Sequence, residues 1–316
     1  MMKVKGYLII ILMLFINIWL FAEGEGGVTL PILNYIPGAR AMGLGTAYTA
    51  LADDVTSLYW NPAGLAGLIK QELSGLYEKL YGDSSFMFFG YSLPVWNIGT
   101  FAAGIVNLTT DNIFAISEYK EELGVYSDNQ FMFILSYGTP FNRIKNFKKP
   151  YLNFLDVGAS LKLVKHSIEN YSAFGIAFDI GIKYLAPKSV KFLENFTFGL
   201  LLQNILPPSH KLVEREWFPL KLKFGVNYKL FYNTLLLNFD ISQIFFRNTS
   251  PEINFGLEYI AMRMFKFRVG YKTGISAGLG MSIQDFNFDY ALNFNYNLGM
   301  THQFSASYKF GGPLKK

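Results

Sequence analysis

Phe174-Gly175-Ile176-Ala177-Phe178-Asp179-Ile180-Gly181-Ile182-Lys183 alternates without a break: Phe or Ile at every even position, a small or charged residue at every odd one. Side chains point to opposite faces along an extended strand, so this stretch has one apolar face and one small or polar face. The pattern recurs downstream. Leu220, Leu222, Phe224, Val226 and Tyr228 oppose Lys221, Lys223, Gly225, Asn227 and Lys229, while Tyr290, Leu292, Phe294 and Tyr296 oppose Asp289, Ala291, Asn293 and Asn295. A soluble sandwich buries its apolar faces inward. A membrane barrel turns them to lipid and lines its lumen with the polar faces. Length separates the two, because sandwich strands average about 5–6 residues and membrane strands need about 9–11.

Working outward from these stretches, the alternation predicts strands at 72–81, 84–93, 98–108, 130–139, 155–166, 172–185 and 196–204. A second set follows at 218–230, 234–245, 251–260, 264–272, 275–283, 286–296 and 301–310. Most are of the longer kind. Fourteen is an even number, as a single-chain antiparallel barrel requires, and it leaves both termini on the periplasmic side. The expected fold is therefore all-β, a transmembrane antiparallel barrel occupying residues 70–316. Thr109–Asn129 and Ile205–Trp217 read as long outward loops. An arginine at Leu237 or Phe255 would meet lipid, and one at Asn238 or Asn254 would meet the lumen more mildly.

Composition agrees. Half of the 316 residues (51%) are hydrophobic, 17% are aromatic and only 16% charged, with 31 Phe and 20 Tyr. Soluble domains carry roughly 25% charge, and aromatics favour strands. Cysteine is absent, which removes disulfides, thiol nucleophiles and a lipid-modified cysteine anchor. A formal charge of +5, two of its lysines lying in the leader, is too small and scattered for nucleic acid.

Lys3 and Lys5 precede an apolar stretch from Tyr7 to Ala22, and Glu23-Gly24-Glu25 follows. A basic start, an apolar middle and a small residue before a polar stretch describe a secretory signal over residues 1–22. Residues 23–69 differ from all that follows: rich in Gly, Ala and Pro, and without alternation. Asp53 and Asp54 suit the start of a helical turn over Val55–Trp60, which Asn61-Pro62 ends. A compact aperiodic segment before the first strand has the size and place of a plug inside the lumen.

Catalytic and metal readings find little support. The run Gly38 to Ala47 carries several glycines, but no strand precedes it and no Gly-Lys-Ser/Thr follows, so it is not a phosphate loop. His166, His210 and His302 lack ligand spacing, and no nucleophile elbow is present. No cofactor, metal or enzyme activity is expected. The predicted lumen faces bear Lys162, Lys183, Lys221, Lys223, Lys266 and Arg268 against Asp179, Asp240, Glu252 and Glu258. These charges could line a conduction path or brace a plugged lumen, with Glu252 and Glu258 placed to pair across strands with Lys266 and Arg268.

Three stretches carry a resemblance. Gly38-Ala39-Arg40-Ala41-Met42-Gly43-Leu44-Gly45, Ala50-Leu51-Ala52-Asp53-Asp54 and Tyr59-Trp60-Asn61-Pro62-Ala63-Gly64-Leu65-Ala66 resemble the N-terminal plug of FadL-like outer-membrane proteins, closest to the PorV/PorQ branch. Weaker strand motifs follow in the right order, among them Gly199-Leu200-Leu201-Leu202-Gln203-Asn204 and Arg268-Val269-Gly270-Tyr271. The resemblance implies a fourteen-stranded barrel with an internal plug over 23–69, whose motif maps to Gly38, Arg40, Gly43, Gly45, Asp53, Asp54, Asn61, Pro62 and Ala63. It implies passive transport of hydrophobic small molecules across the bacterial outer membrane, or the PorV role as a type IX secretion or surface-attachment partner. The corresponding partners are outer-membrane lipid and either a hydrophobic ligand or secretion-system proteins. An apolar pocket is expected where plug meets wall, around Tyr59, Trp60 and Phe101.

The leader yields a direct expectation. The mature protein should begin near Glu23, as N-terminal sequencing of the membrane fraction would show; recovery of the uncleaved chain would count against export.

Overall fold

The computed structural model describes residues 30–35, 37–117, 119, 122–144, 150–187, 193–205, 209–211, 215–245, 249–295 and 299–314. Residues 1–29, which include the expected leader, and residues 315–316 lie outside them.

The strands are β1 (Gln71–Lys79), β2 (Ser84–Val95), β3 (Gly99–Ile116), β4 (Glu122–Pro140), β5 (Leu155–Ile168), β6 (Tyr171–Leu185), β7 (Phe196–Ile205), β8 (Ser209–Lys211) and β9 (Arg215–Trp217). They continue as β10 (Lys221–Leu230), β11 (Leu235–Ile244), β12 (Glu252–Ala261), β13 (Phe265–Tyr271), β14 (Gly274–Ile283), β15 (Phe286–Asn295) and β16 (Gly299–Phe310). Fourteen close into one antiparallel barrel in chain order, with β16 pairing back onto β1 through Gln71↔Phe310 to Lys79↔His302. The short β8 and β9 form a separate hairpin.

The alternation places apolar side chains outward. Phe174, Ile176, Phe178 and Ile180 on β6 are all exposed, whereas Ala173, Ala177, Asp179 and Lys183 between them are buried. Aromatic rings pair across strands on this outer face: Phe196 with Tyr228 at 4.3 Å between centroids, Phe286 with Tyr308 at 4.5 Å and Tyr290 with Phe304 at 4.6 Å. A belt of this kind suits hydrocarbon flanked by interfaces.

Three expectations need correction. Thr109–Asn129 is mostly strand: β3 has 18 residues and β4 has 19, and they stay paired as a ribbon beyond their neighbours. A bulge at Asn112, whose φ is 56°, and a second shift near Ile116 break the two-residue period there, so the pattern reads as loop. Ile205–Trp217 holds the β8–β9 hairpin. The strand expected from Phe218 begins at Lys221, because Phe218 leaves the sheet, is buried, and lies where a Cβ on Gly175 would stand.

Inside the barrel run residues 30–67. They form short pieces only: α1 (Ala39–Gly43), α2 (Ser57–Trp60), and 3-10 turns at Pro31–Leu33 and Pro62–Gly67. α1 packs against β13, β14, β15 and β16, while the Pro62–Gly67 turn packs against β3, β4, β5 and β6 on the opposite side. Leu44, Ala47, Tyr48, Ala52, Val55, Leu58 and Ala63 have no exposed surface.

Close approach is possible because the wall presents glycines where the segment touches it. Gly199 and Gly225 face each other across β7 and β10, and Gly256 and Gly270 across β12 and β13. A Cβ on Gly199 would stand 2.5 Å from the Thr49 carbonyl oxygen, and one on Gly256 2.5 Å from that of Leu44. Gly158 and Gly181, paired across β5 and β6, meet Pro62 and Asn61 more tightly still.

Leu237 and Phe255 face outward, so Leu237→Arg or Phe255→Arg should cost about 2–4 kcal/mol near the bilayer midplane, read as loss of heat-modifiable folded barrel. Arginine at Asn238 is not the milder change expected from alternation, because Asn238 is buried against Asn227, whose amide donates to it at 2.8 Å. Asn238→Arg should also impair assembly; normal assembly would mean that the interior is looser than the packing around Asn238.

Candidate functional site

The candidate site is the interior, where segment 30–67 meets the wall. A segment without regular structure has many backbone N–H and C=O groups with no partner in a helix or strand, and burial makes each of them costly unless paired. Inward wall side chains supply the partners. Asp240 accepts from the backbone N–H groups of Tyr48 (3.0 Å) and Thr49 (2.9 Å). Lys183 donates to the carbonyls of Leu51 (3.0 Å) and Ala52 (2.8 Å). Glu72 accepts from Val55 N–H, Ser276 from Gly45 N–H and Gln130 from Ile32 N–H, each at 3.1 Å. Gln203 donates to the Tyr59 carbonyl, and Ser136 and Ser160 to that of Leu58.

The plug-motif residues occupy distinct places. Gly38 precedes α1 with φ of 114°, a conformation open to glycine. Gly43 lies against Gly278, and Gly45 (φ 58°) against the Tyr271 and Gly270 backbone. Arg40 forks onto Glu258, with Nε–Oε2 at 3.0 Å and Nη2–Oε1 at 2.9 Å, and also contacts Asp53 and the Tyr48 hydroxyl. The Asp53 side chain is 48% exposed, and the Arg40 guanidinium beside it holds the carboxyl below its ordinary value. Asp54 accepts from Thr56 N–H at 2.9 Å and from the Tyr48 hydroxyl at 2.6 Å, capping the turn before α2. Asn61 is extended; its Oδ1 accepts from Ala63 N–H, and its Nδ2 donates to Thr49 (2.9 Å) and Ile182 (3.2 Å). Pro62 opens the turn that follows.

Most of the predicted lumen charges pair. Glu258 also meets Arg268 at 2.6 Å, Arg268 meets Asp289 at 2.7 Å, and Lys162 meets Asp179 at 2.6 Å. Glu252 pairs with Lys221 at 3.0 Å and lies 3.7 Å from Lys272, not beside Lys266 as the strand order suggested. Lys266 points inward with no salt-bridge partner among the described residues. Lys223 stands 4.9 Å over the Trp60 ring.

Tyr59 and Trp60 are buried, their polar atoms donating to the carbonyls of Leu33 (2.7 Å) and Pro37 (2.8 Å). Beside them is a cavity of about 20 Å³ lined by Lys221, Lys223, Glu252, Asn254 and Lys272, which is polar and too small for an organic ligand. Phe101 does not line it. It is 48% exposed on the outer face of β3, its ring tilted against Tyr137 at 4.9 Å, because the inward positions there are Thr100 and Ala102.

One feature departs from the polar lumen that alternation implies. The inner wall from β1 to β5 carries an apolar patch, Leu76, Phe86, Phe88, Val106, Met132 and Val164, all buried, set among inward Glu72, Glu78, Gln130, Ser136, Ser160 and Lys162. Leu30, Ile32, Leu33, Val55 and Leu58 pack into the same cluster, with Tyr35 stacked on Phe86 at 5.2 Å. The sequence signal was present: Phe86-Met87-Phe88-Phe89 and Phe131-Met132-Phe133-Ile134-Leu135 are apolar on both faces, as strands covered on both sides read.

Fold and interior together define a closed fourteen-stranded barrel of the outer-membrane type, with buried residues of its amino-terminal segment packed against the strands. Among solved structures, the chain is similar to the TodX monoaromatic hydrocarbon channel in a mutant form (TM-score 0.60, 12% identity, 89% of this chain and 100% of that one). It is similar to the CymD monoaromatic hydrocarbon channel (0.59, 13%, 86% and 97%) and to a Pseudomonas aeruginosa FadL homologue (0.56, 10%, 87% and 99%). At these identities the likeness is one of fold, and that fold is FadL-like. No protein-family profile matches the chain, and no characterised relative is found by sequence.

Glu258 is the hub of the charged side, holding Arg40 and Arg268 together. Glu258→Gln should destabilise the folded protein by about 3–5 kcal/mol, since it removes the one carboxylate that two buried guanidinium groups share and leaves Arg40 to Asp53 and Arg268 to Asp289. It should also render residues 30–67 accessible to added protease. Protection equal to wild type would show that Arg40 is held elsewhere.

Proposed function

We propose that this chain is an outer-membrane channel for hydrophobic small molecules, closed in this conformation by residues 23–69 acting as a plug. The observation that carries the reading is the apolar patch on the inner wall of β1 to β5. A water-filled porin lines its lumen with polar groups; here the polar groups are interrupted by a buried apolar patch of Leu76, Phe86, Phe88, Val106, Met132 and Val164. Withdrawal of Leu30, Ile32 and Leu33 would uncover that patch beside Phe86, Phe88 and Val106. The likeness to hydrocarbon channels supports the same reading through fold alone.

A second reading, a PorV-like partner in type IX secretion or surface attachment, draws on the β3–β4 ribbon, which projects beyond the barrel wall. It predicts secretion phenotypes without hydrophobic uptake.

The test separates plug from path. Deleting Gly38–Gly64 should raise single-channel conductance in planar bilayers, provided the barrel still assembles. Phe88→Gln with Val106→Thr should instead lower uptake of a hydrophobic probe such as toluene in a strain lacking its own carrier. Unchanged conductance after the deletion would sink the plug, and unchanged uptake in the double variant would sink the apolar path.

A further inference from the structure

β3 and β4 carry two apolar zones on their outer face, separated by a polar belt. Counting back from the rim that bears the termini, Tyr137, Leu135, Phe133 and Phe131 of β4 face outward, beside Phe101 and Ile105 of β3. From the strand end at Pro140 to Phe131 is ten residues, within the about 9–11 that cross hydrocarbon. Next come Asn129 and Ser127 on β4 and Asn107, Thr109 and Asp111 on β3. Beyond the belt large apolar side chains are exposed again: Phe114, Ile116, Leu123 and Val125 at 60%, 63%, 68% and 57%, with Phe114 paired to Val125 and Ile116 shifted onto Glu122.

The bulge at Asn112 creates this second zone. Strict alternation from Asp111 would send Phe114 to the opposite face from Val125. The inserted residue shifts the period by one, so that Phe114 pairs with Val125 and both zones share a side. Val125 lies six positions beyond Phe131, about 20 Å along the strand at roughly 3.3 Å per residue, so membrane hydrocarbon does not cover it.

Both ribbon edges are also open. Among the described residues, β4 has no strand partner on its β5 side before Asp128↔Ile168, and β3 none on its β2 side after Ser84↔Thr110. Bare edges with exposed apolar side chains are what an added strand engages, backbone for affinity and alternate side chains for specificity. Asp83, Asp111, Glu122 and Glu169 fringe the ribbon against Lys165, so the surroundings favour a basic arrival and disfavour a second copy of the same acidic ribbon.

We propose that the β3–β4 ribbon is a strand-addition dock for an extended protein segment with alternating apolar and basic side chains. The dock is independent of the channel reading, because none of its residues lines the interior.

The test uses the full protein in lipid nanodiscs and a fluorescent ten-residue peptide alternating valine with lysine. The peptide should bind, and Phe114→Ser with Val125→Ser should weaken it about tenfold or more. N-methylation along one edge of the peptide should abolish binding, and along the other leave it intact. Hydrophobic uptake in the double variant should match wild type, which keeps failure of the dock distinct from failure of the channel. Any of four results would overturn the proposal: no binding, equal binding of a valine–glutamate peptide, indifference to N-methylation on both edges, or quenching of a label at Val125→Cys by lipid-borne spin probes. Dimer formation through cross-linked Val125→Cys would assign the face to a second copy instead.

Discussion

Everything inside this barrel follows from one constraint: a chain segment without regular structure lies at the depth of the strands, and its backbone must still be hydrogen-bonded. Irregular backbone is tolerated at membrane depth only where protein or a water-filled cavity satisfies it. Eight strands nearly fill their own interior, whereas fourteen leave a space that side chains cannot close. Here residues 30–67 occupy it, and the wall is built around their peptide groups. Asp240, Lys183, Glu72, Ser276, Gln130, Gln203 and the Ser136–Ser160 pair each bond to segment backbone. The inward glycines are the steric half of the same solution, since a methyl group at Gly199 or Gly256 would already collide with a carbonyl.

The constraint divides the interior into two unequal halves. From β10 to β15 the contacts are ionic and interlinked: Arg40 shares Glu258 with Arg268, which reaches Asp289. Removing one charge from such a set leaves the others stranded, so this side holds the segment as a unit. From β1 to β5 the contact is largely apolar, and Ile32 N–H to Gln130 is a direct polar tie of the 30–33 stretch to the wall. Opening energies within one protein differ from region to region.

The wall was legible because its physics is local. Alternation at 174–183 or 220–229 reports two environments on two sides of one strand, and lipid on one side is as uniform a signal as chains provide. The closed fourteen-stranded barrel was read from that signal. The interior was not legible in the same way. That charges would lie on inward faces followed from the period, but which peptide group each would meet depends on the three-dimensional path of residues 30–67. Glu252 turned to Lys221 and Lys272 rather than Lys266 for this reason. Phe101 was misplaced by pairing it with Tyr59 and Trp60 on type alone, when the parity of β3 already puts Thr100 and Ala102 inward.

Departures from alternation carried as much information as the pattern itself. Strands with a plain lipid–lumen contrast, such as β6, are scaffold. Where both faces are apolar, as at Phe86–Phe89 and Phe131–Leu135, the inner face has a dry neighbour and the lumen is not simply a water channel. Where the period slips, at Asn112, the slip transfers Phe114 to a surface that lipid does not reach. Local rules broken at a cost in solvation tend to mark the places where a chain does more than fold. In this chain the two kinds of break adjoin on β3 and β4, one along the inner wall and one at the projecting tip. The side of the barrel that departs most from the simple pattern is therefore where the proposed path and dock lie, opposite the ionic contacts that Arg40 makes with Glu258 and, through it, Arg268.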